Sequence, residues 1–105
     1  MVPTAFRIGV VGAGSWGTVL AEMLADKGFG VELWAFEREV VEQINTLHEN
    51  RLFLPGIPLS PGLTASNDLE AVAAGKNLLV VVVPSHVIRR TMQALAGRLE
   101  AKTSV

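Results

Sequence analysis

Glycine stands at positions 12, 14 and 17, in the run Gly12-Ala13-Gly14-Ser15-Trp16-Gly17. Each of the three can do a separate job next to a phosphate. The first permits a tight turn out of a strand. The second has no Cβ, so a pyrophosphate can come up against the backbone. The third lets the helix that follows lie close on the sheet. A helix starting here points its unbonded N–H groups, and the positive end of its dipole, at the same spot. The chemistry implied is capture of a dinucleotide pyrophosphate. The plainer alternative is a strand-to-helix turn that holds nothing. Glycine-rich turns are common, so the surrounding pattern has to decide.

An acid follows at a telling distance. Glu37 lies 20 residues beyond Gly17, where a carboxylate closing a second strand accepts hydrogen bonds from the adenosine ribose hydroxyls. Otherwise it is an ordinary Glu in the first turn of a helix, favoured there by the dipole. Arg38 beside it offers a cation to a 2′-phosphate, and Phe36 either lies flat against an adenine or closes the core. A third motif, Val83-Pro84-Ser85-His86, ends an apolar run. It falls at the carboxyl edge where such sheets bind ligands, and its backbone at Pro84 could border the nicotinamide side of a cofactor. His86 is of a type suited to acid–base work, but reads more simply as a surface residue at a helix start. His48 sits in a polar helix end beside Glu49 and Asn50 and takes no role. No metal-ligand spacing and no nucleophile–base pair is present. The residues themselves therefore support dinucleotide binding without specifying a reaction.

These residues need elements to hold them. Phe6 to Val11 is apolar apart from Arg7, as in a strand buried on both faces of a parallel sheet. Val19, Leu20, Met23 and Leu24 then fall on one face of a helix that Gly28 and Gly30 end. Val31 to Phe36 is a second strand, followed by a helix with Val40, Val41, Ile44 and Leu47 on its inner side. Arg51 to Gly62 is rich in proline and glycine. It reads as an ordered loop, because Leu52, Phe53, Leu54, Ile57 and Leu59 need burial. A short strand is expected near Leu63 to Ala65. Asn67 is expected to cap the next helix, with Glu70 reaching back, and that helix stops near Gly75. Leu78 to Val83 is a strand, and Ile88, Met92, Leu95 and Leu99 give a helix after Pro84 its buried stripe. Thr103 to Val105 opens one further strand. Such alternation predicts an α/β, doubly wound (Rossmann-type) parallel sheet with helices on both faces, truncated at its C-terminal end.

Composition narrows the class. A chain of 105 residues holds one domain. Half of them are hydrophobic and 18% are charged, which is globular rather than disordered composition. The net charge of −1 and the lack of a basic run give no field to attract nucleic acid or an acidic membrane. With no cysteine, disulfides, thiolate-metal sites and cysteine nucleophiles are excluded. The first residues lack a signal-peptide pattern, and the longest apolar run is far below the roughly 20 residues that span a bilayer. The expectation is a cytoplasmic protein with no nucleic-acid or membrane partner.

Four blocks taken together resemble NAD(P)-dependent glycerol-3-phosphate dehydrogenase. They are Gly-Ala-Gly-Ser-Trp-Gly-Thr (12–18), Val-Glu-Leu-Trp (31–34), Leu-Pro-Gly-Ile-Pro-Leu (54–59) and Val-Val-Pro-Ser-His (82–86). The match runs in order over nearly the whole chain. The proline-rich block is its most specific part, since a generic dinucleotide-binding domain has no such insert. The resemblance implies hydride transfer between NAD(P)H and dihydroxyacetone phosphate, giving sn-glycerol 3-phosphate for phospholipid synthesis. It implies that Ser15 and Trp16 touch the cofactor through the glycine loop, that positions 36 and 37 meet the adenosine ribose, and that Phe53 packs near the cofactor. It further implies a small phosphorylated substrate and leaves room for a homodimer of the full-length enzyme.

Two departures from the family pattern stand out. Many bacterial members have arginine at position 36, suited to NADPH; Phe36-Glu37 here is closer to the NAD-using eukaryotic members, so NAD is the expected cofactor and NADP the alternative. The family's catalytic lysine follows the strand that begins at Thr103, and its substrate residues lie in a helical C-terminal domain. The expectation is thus an incomplete NAD(P)-binding Rossmann domain over 1–105, with no catalytic residue, no metal and no activity by itself. Two other readings stay open: a non-catalytic NAD-sensing regulatory module, and the cofactor domain of a 3-hydroxyacyl or 6-phosphogluconate type dehydrogenase.

Overall fold

The computed structural model describes residues 6–83 together with Arg90 and Gln93. Four parallel strands form one sheet: β1 (Arg7–Val11), β2 (Gly30–Trp34), β3 (Thr64–Ser66) and β4 (Leu78–Val81). Their order is β3-β2-β1-β4. Val10 stands opposite Leu33 on one side and Val80 on the other. Leu33 in turn stands opposite Ala65. The chain steps from β1 outward to β2 and β3, then returns across the sheet to lay β4 on the far side of β1. That reversal is the topological switch point of an α/β Rossmann-like fold, and it opens a crevice at the carboxyl ends of β1 and β4.

The alternation of side chains along each strand divides the core in two. Ile8, Val10, Val31, Leu33 and Ala35 pack with Ala21, Val40 and Ile44 on one face. Leu79 and Ala73 meet on the other, with Leu69 and Val81 against them. Ile8, Leu33, Ile44 and Leu79 are fully buried, and each contributes about 1.5–3 kcal/mol by leaving water. Gly9 keeps the second layer thin: a Cβ there would lie 2.9 Å from the Val72 carbonyl oxygen.

Helix α1 (Ser15–Asp26) buries Gly17, Thr18 and Ala21. The expected inner face of Val19, Leu20, Met23 and Leu24 is therefore turned aside in part: Leu24 still packs against the core, and Val19 and Leu20 are half-buried. Met23 is 53% exposed, because the helix approaches the sheet too closely for long side chains at its point of contact. Helix α2 (Arg38–Glu42) runs on into a π-helical turn at Gln43–Leu47, which stops at His48 in the left-handed region, φ 54°. Val40 and Ile44 are buried as the periodicity predicts, whereas Leu47 is half exposed; the wider π turn rotates it off the inner face.

The strand near Leu63 to Ala65 is present, one residue later than expected. The shift carries into helix α3 (Leu69–Ala73), which is capped by Asp68 and not by Asn67. The Asp68 carboxylate accepts from the N–H groups of Glu70 and Ala71, while its own N–H donates to Ser66 Oγ. Strand β2 ends at Trp34 and not at Phe36, and β4 at Val81 and not at Val83, where the ladder partners run out. The 51–62 loop is ordered as expected, but the burial expected of its apolar residues holds only in part. Leu59 is buried, Phe53 and Leu54 are half-buried, and Leu52 and Ile57 remain nearly half exposed. The anchor of this loop is polar instead. Among the described residues no helix is long and apolar enough to cross a membrane. Arg90 and Gln93 are helical and exposed; the other residues of the helix expected after Pro84, and the strand expected at Thr103, lie outside the described residues.

Candidate functional site

The glycine run leaves β1 at the switch point. Gly12 has φ 121°, a conformation an L side chain rarely adopts, and a Cβ there would run into the Val82 carbonyl. Its N–H donates to the Trp34 carbonyl at 3.0 Å, so the loop is tied to the end of β2. The backbone after β4 is equally close, with the Val82 N–H donating to the Val11 carbonyl. At Gly17 a Cβ would overlap the Gly12 carbonyl. Two of the three glycines are thus demanded by packing within the chain. Gly14 is different: a Cβ there meets none of the described residues within 4 Å. The space in front of Gly14 is open, at the point where the sequence places a pyrophosphate.

Gly14 is also the N-cap of α1. No side chain caps this helix, and its first turn holds no acid. Most helices satisfy their first N–H groups with a Ser, Thr, Asp or Asn side chain. This one presents its amino end, with its partial positive charge, to the crevice. The Ser15 hydroxyl, the nearest side chain suited to capping, donates instead to the Phe53 carbonyl at 2.6 Å. An anionic diphosphate fits this end on charge and on space.

The structure brings the other expected residues to the same edge by different routes. Trp16 is 77% exposed in the first turn of α1. Phe36 is 79% exposed beyond β2 and meets Trp34 edge-on, with ring centroids 6.4 Å apart. Glu37 is the half-buried N-cap of α2, and its carboxylate makes no capping bond, so it is not spent on its own helix. Phe53 reaches the glycine loop through the bond from Ser15. Pro84, with Ser85 and His86, lies outside the described residues; Val82, the last but one residue described before them, lies against Gly12.

Sequence reasoning missed the residue that joins these parts. Asn50 has no exposed surface. Its Nδ2 donates to the Ala13 carbonyl at 2.9 Å and to Thr18 Oγ1 at 2.8 Å. Its Oδ1 accepts from the Phe53 N–H at 3.1 Å. Thr18 is buried as well and donates to Ala13 O. Asn side chains often bond nearby backbone groups, and nothing in that local habit points to the glycine loop. The loop that follows Asn50 is pinned at its outer side by Glu49. Its carboxylate accepts from the Gly56 N–H and pairs with Arg51 at 3.2 Å. The Gly56 hydrogen bond first, then Arg51, hold the Glu49 carboxyl below the usual carboxylate range.

With this geometry in place, likeness to known proteins becomes informative. Residues 7–105 match the model of the NAD-dependent glycerol-3-phosphate dehydrogenase N-terminus. The chain belongs to this family. It is 56% identical over 93 residues to a glycerol-3-phosphate dehydrogenase [NAD(P)+] of Geobacter sulfurreducens, covering 89% of this chain and 28% of that protein. Among solved structures, it resembles glycerol-3-phosphate dehydrogenase from Saccharomyces cerevisiae with a TM-score of 0.88 at 33% identity, over 94% of this chain and 32% of that one. The enzyme from Coxiella burnetii gives a TM-score of 0.87 at 37% identity, over 96% of this chain and 31% of that one. The chain therefore spans under a third of the length of these relatives, all of it in the dinucleotide-binding N-terminal part. The family match favours the dehydrogenase reading over a sensing module or a dehydrogenase of another type.

Proposed function

We propose that this chain is the NAD(P)-binding part of an sn-glycerol-3-phosphate dehydrogenase, acting in the cytoplasm. The observation that carries the reading is the bare amino end of α1, with no acid in its first turn and, among the described residues, nothing filling the space at Gly14. The diphosphate would lie against Gly12, Gly14, Ser15, Trp16 and Gly17. Phe36 and Glu37 would meet the adenosine, and Phe53 and Pro84 would border the cofactor further along. The bound nicotinamide would supply the hydride that turns dihydroxyacetone phosphate into sn-glycerol 3-phosphate. The lysine that protonates the product and the groups that hold its phosphate are assigned to the further length that the relatives possess, as is any homodimer contact. Residues 1–105 would then bind dinucleotide without turnover.

NAD is favoured over NADP. A carboxylate at position 37 accepts two ribose hydroxyl hydrogen bonds from NAD. Against a 2′-phosphate it faces a second anion, and like charges about 4 Å apart repel by about 1–4 kcal/mol according to solvent exposure. Titrating the chain with NADH, followed by quenching of indole fluorescence, tests the assignment. We expect saturable binding that falls at least about tenfold in Gly14→Val, where a branched side chain fills the pyrophosphate position, while far-ultraviolet circular dichroism stays unchanged. Equal affinity in the two proteins rules out the glycine loop as the site.

A further inference from the structure

Asn50 is an expensive residue where it stands. A buried amide without partners costs as much as a buried leucine gains, or more, so it is kept only where its hydrogen bonds are met. Here every bond is met, and all of them run to two segments. Both Nδ2 donors are spent on the glycine loop and the helix it starts, at Ala13 O and Thr18 Oγ1. The Oδ1 acceptor takes the Phe53 N–H, and the Asn50 main-chain carbonyl takes the Leu54 N–H at 2.8 Å. The reverse orientation of the amide would set Oδ1 against the Ala13 carbonyl, so the observed one is fixed. The Phe53 residue is then held twice: by Asn50 at its N–H, and by Ser15 at its C=O.

We infer that Asn50 is a positioning residue, which locks the 50–59 loop onto the glycine loop so that Phe53 and Ser15 offer the dinucleotide one preformed wall. This rests on the dinucleotide reading of the glycine loop. The physical basis is preorganisation: a loop already ordered loses no entropy when ligand binds, and a fully satisfied buried network fixes one arrangement. Asn45 makes the contrast clear. It uses the same chemistry, with Nδ2 donating to Ala65 O at 2.9 Å and Oδ1 accepting from Ala65 N at 2.8 Å. Those bonds secure the edge strand β3, away from the glycine loop.

Asn50→Asp tests the inference. It keeps the size and the acceptor for Phe53 but removes both donors. In the chain, the dissociation constant for NADH is expected to rise at least about tenfold. Hydrogen exchange at the Phe53 and Thr18 amides should quicken while the central amides of Val10 and Leu33 keep their protection. Thr18→Val, which preserves volume and deletes one partner of Asn50, should give a smaller rise of about threefold and decides the matter if the first variant does not fold. Asn45→Ala should lower thermal stability and leave NADH affinity within twofold. The inference is overturned if loop exchange is unchanged in the Asn50 and Thr18 variants, or if it quickens with no change in affinity. A wild-type chain that takes up no NADH sinks the dinucleotide reading, and the binding half of this inference with it. The exchange pattern still judges the tie itself.

Discussion

The two edges of the sheet are built on opposite plans. At the amino edge, main-chain and charged groups are closed off by side chains of the chain itself. Asn77 Oδ1 accepts from the Arg7 N–H, and the Asn77 N–H returns a bond to the Arg7 carbonyl, both at 2.8 Å. Lys76 is almost wholly buried and donates to Glu32 at 3.0 Å and to the Ala74 carbonyl. A cavity of about 260 Å³ lies there, lined by Arg7, Glu32, Thr64 and Lys76 among others, yet its buried cation is already matched. At the carboxyl edge the groups are left open. The helix that starts there has no cap, Glu37 makes no capping bond, and Trp16 and Phe36 expose their rings. The difference teaches that an edge suited to binding is marked by unmet hydrogen-bonding capacity and bare aromatic surface, and that a hollow with its polar groups already matched is not.

Substitutions can break this contrast in order of expected size. The largest effect falls within the glycine run. Gly17→Val drives a branched side chain into the Gly12 carbonyl and is expected to cost about 4 kcal/mol or more in urea unfolding, at the exceptional end for a point change. Gly14→Val, facing open space, should stay within about 1 kcal/mol of wild type. If both unfold the chain equally, the division between packing glycines and a ligand glycine is wrong.

The amino edge should answer with stability alone. Glu32→Gln leaves the Lys76 ammonium without its carboxylate in a buried setting, an arrangement that costs about 3 kcal/mol when fully desolvated. Glu32 is itself 27% exposed at the side chain, so about 1–2 kcal/mol is the expected loss. Chemical denaturation measures that loss, and an NADH titration of the same variant should match wild type. A weakened cofactor affinity would mean that the two edges are not independent.

Glu37→Ser sharpens the cofactor assignment at the open edge. Removing the carboxylate should narrow the gap between NADH and NADPH affinity by about 1 kcal/mol, mostly through better NADPH binding. Parallel titrations with the two nucleotides read it out, and an unchanged ratio would show that Glu37 does not meet the ribose.

The smallest effect concerns pH. Because Glu49 is held below the ordinary carboxylate range by Gly56 and Arg51, its contribution to the 49–56 turn is complete above that range. It is lost as pH falls through the lowered value. Exchange at the Gly56 amide, corrected for its intrinsic pH dependence, should gain protection as Glu49 ionises. In Glu49→Gln that gain should vanish.

Much of this was legible in the residues. Phe6 to Val11 and Leu78 to Val83 are apolar runs of the kind a buried parallel strand shows, and the strands within them, Arg7–Val11 and Leu78–Val81, lie next to each other in the sheet. The Gly12 to Gly17 spacing located the loop and the start of α1 because that geometry is local: a turn, a missing Cβ and a helix end within six residues. The place of Glu37 just past the second strand was legible from distance along the chain, since one helix and one strand set how far the second carboxyl end lies from the first.

Tertiary structure decided what depends on contacts far apart in sequence. The inner face of α1 could not be read from periodicity alone, because the close approach of Gly17 to the Gly12 carbonyl, with no room for a Cβ, sets how the helix lies on the sheet. The role of Asn50 could not be read at all: its partners Ala13 and Thr18 lie 37 and 32 residues away, and its type alone suggests a solvated helix end. The same holds for Lys76, whose carboxylate partner Glu32 is 44 residues distant. Sequence patterning reports the period of an element and the chemistry of a short motif. The pairing of buried polar groups is settled only when the sheet order brings their carriers together, because the cost of burying them vanishes in that one arrangement and in few others.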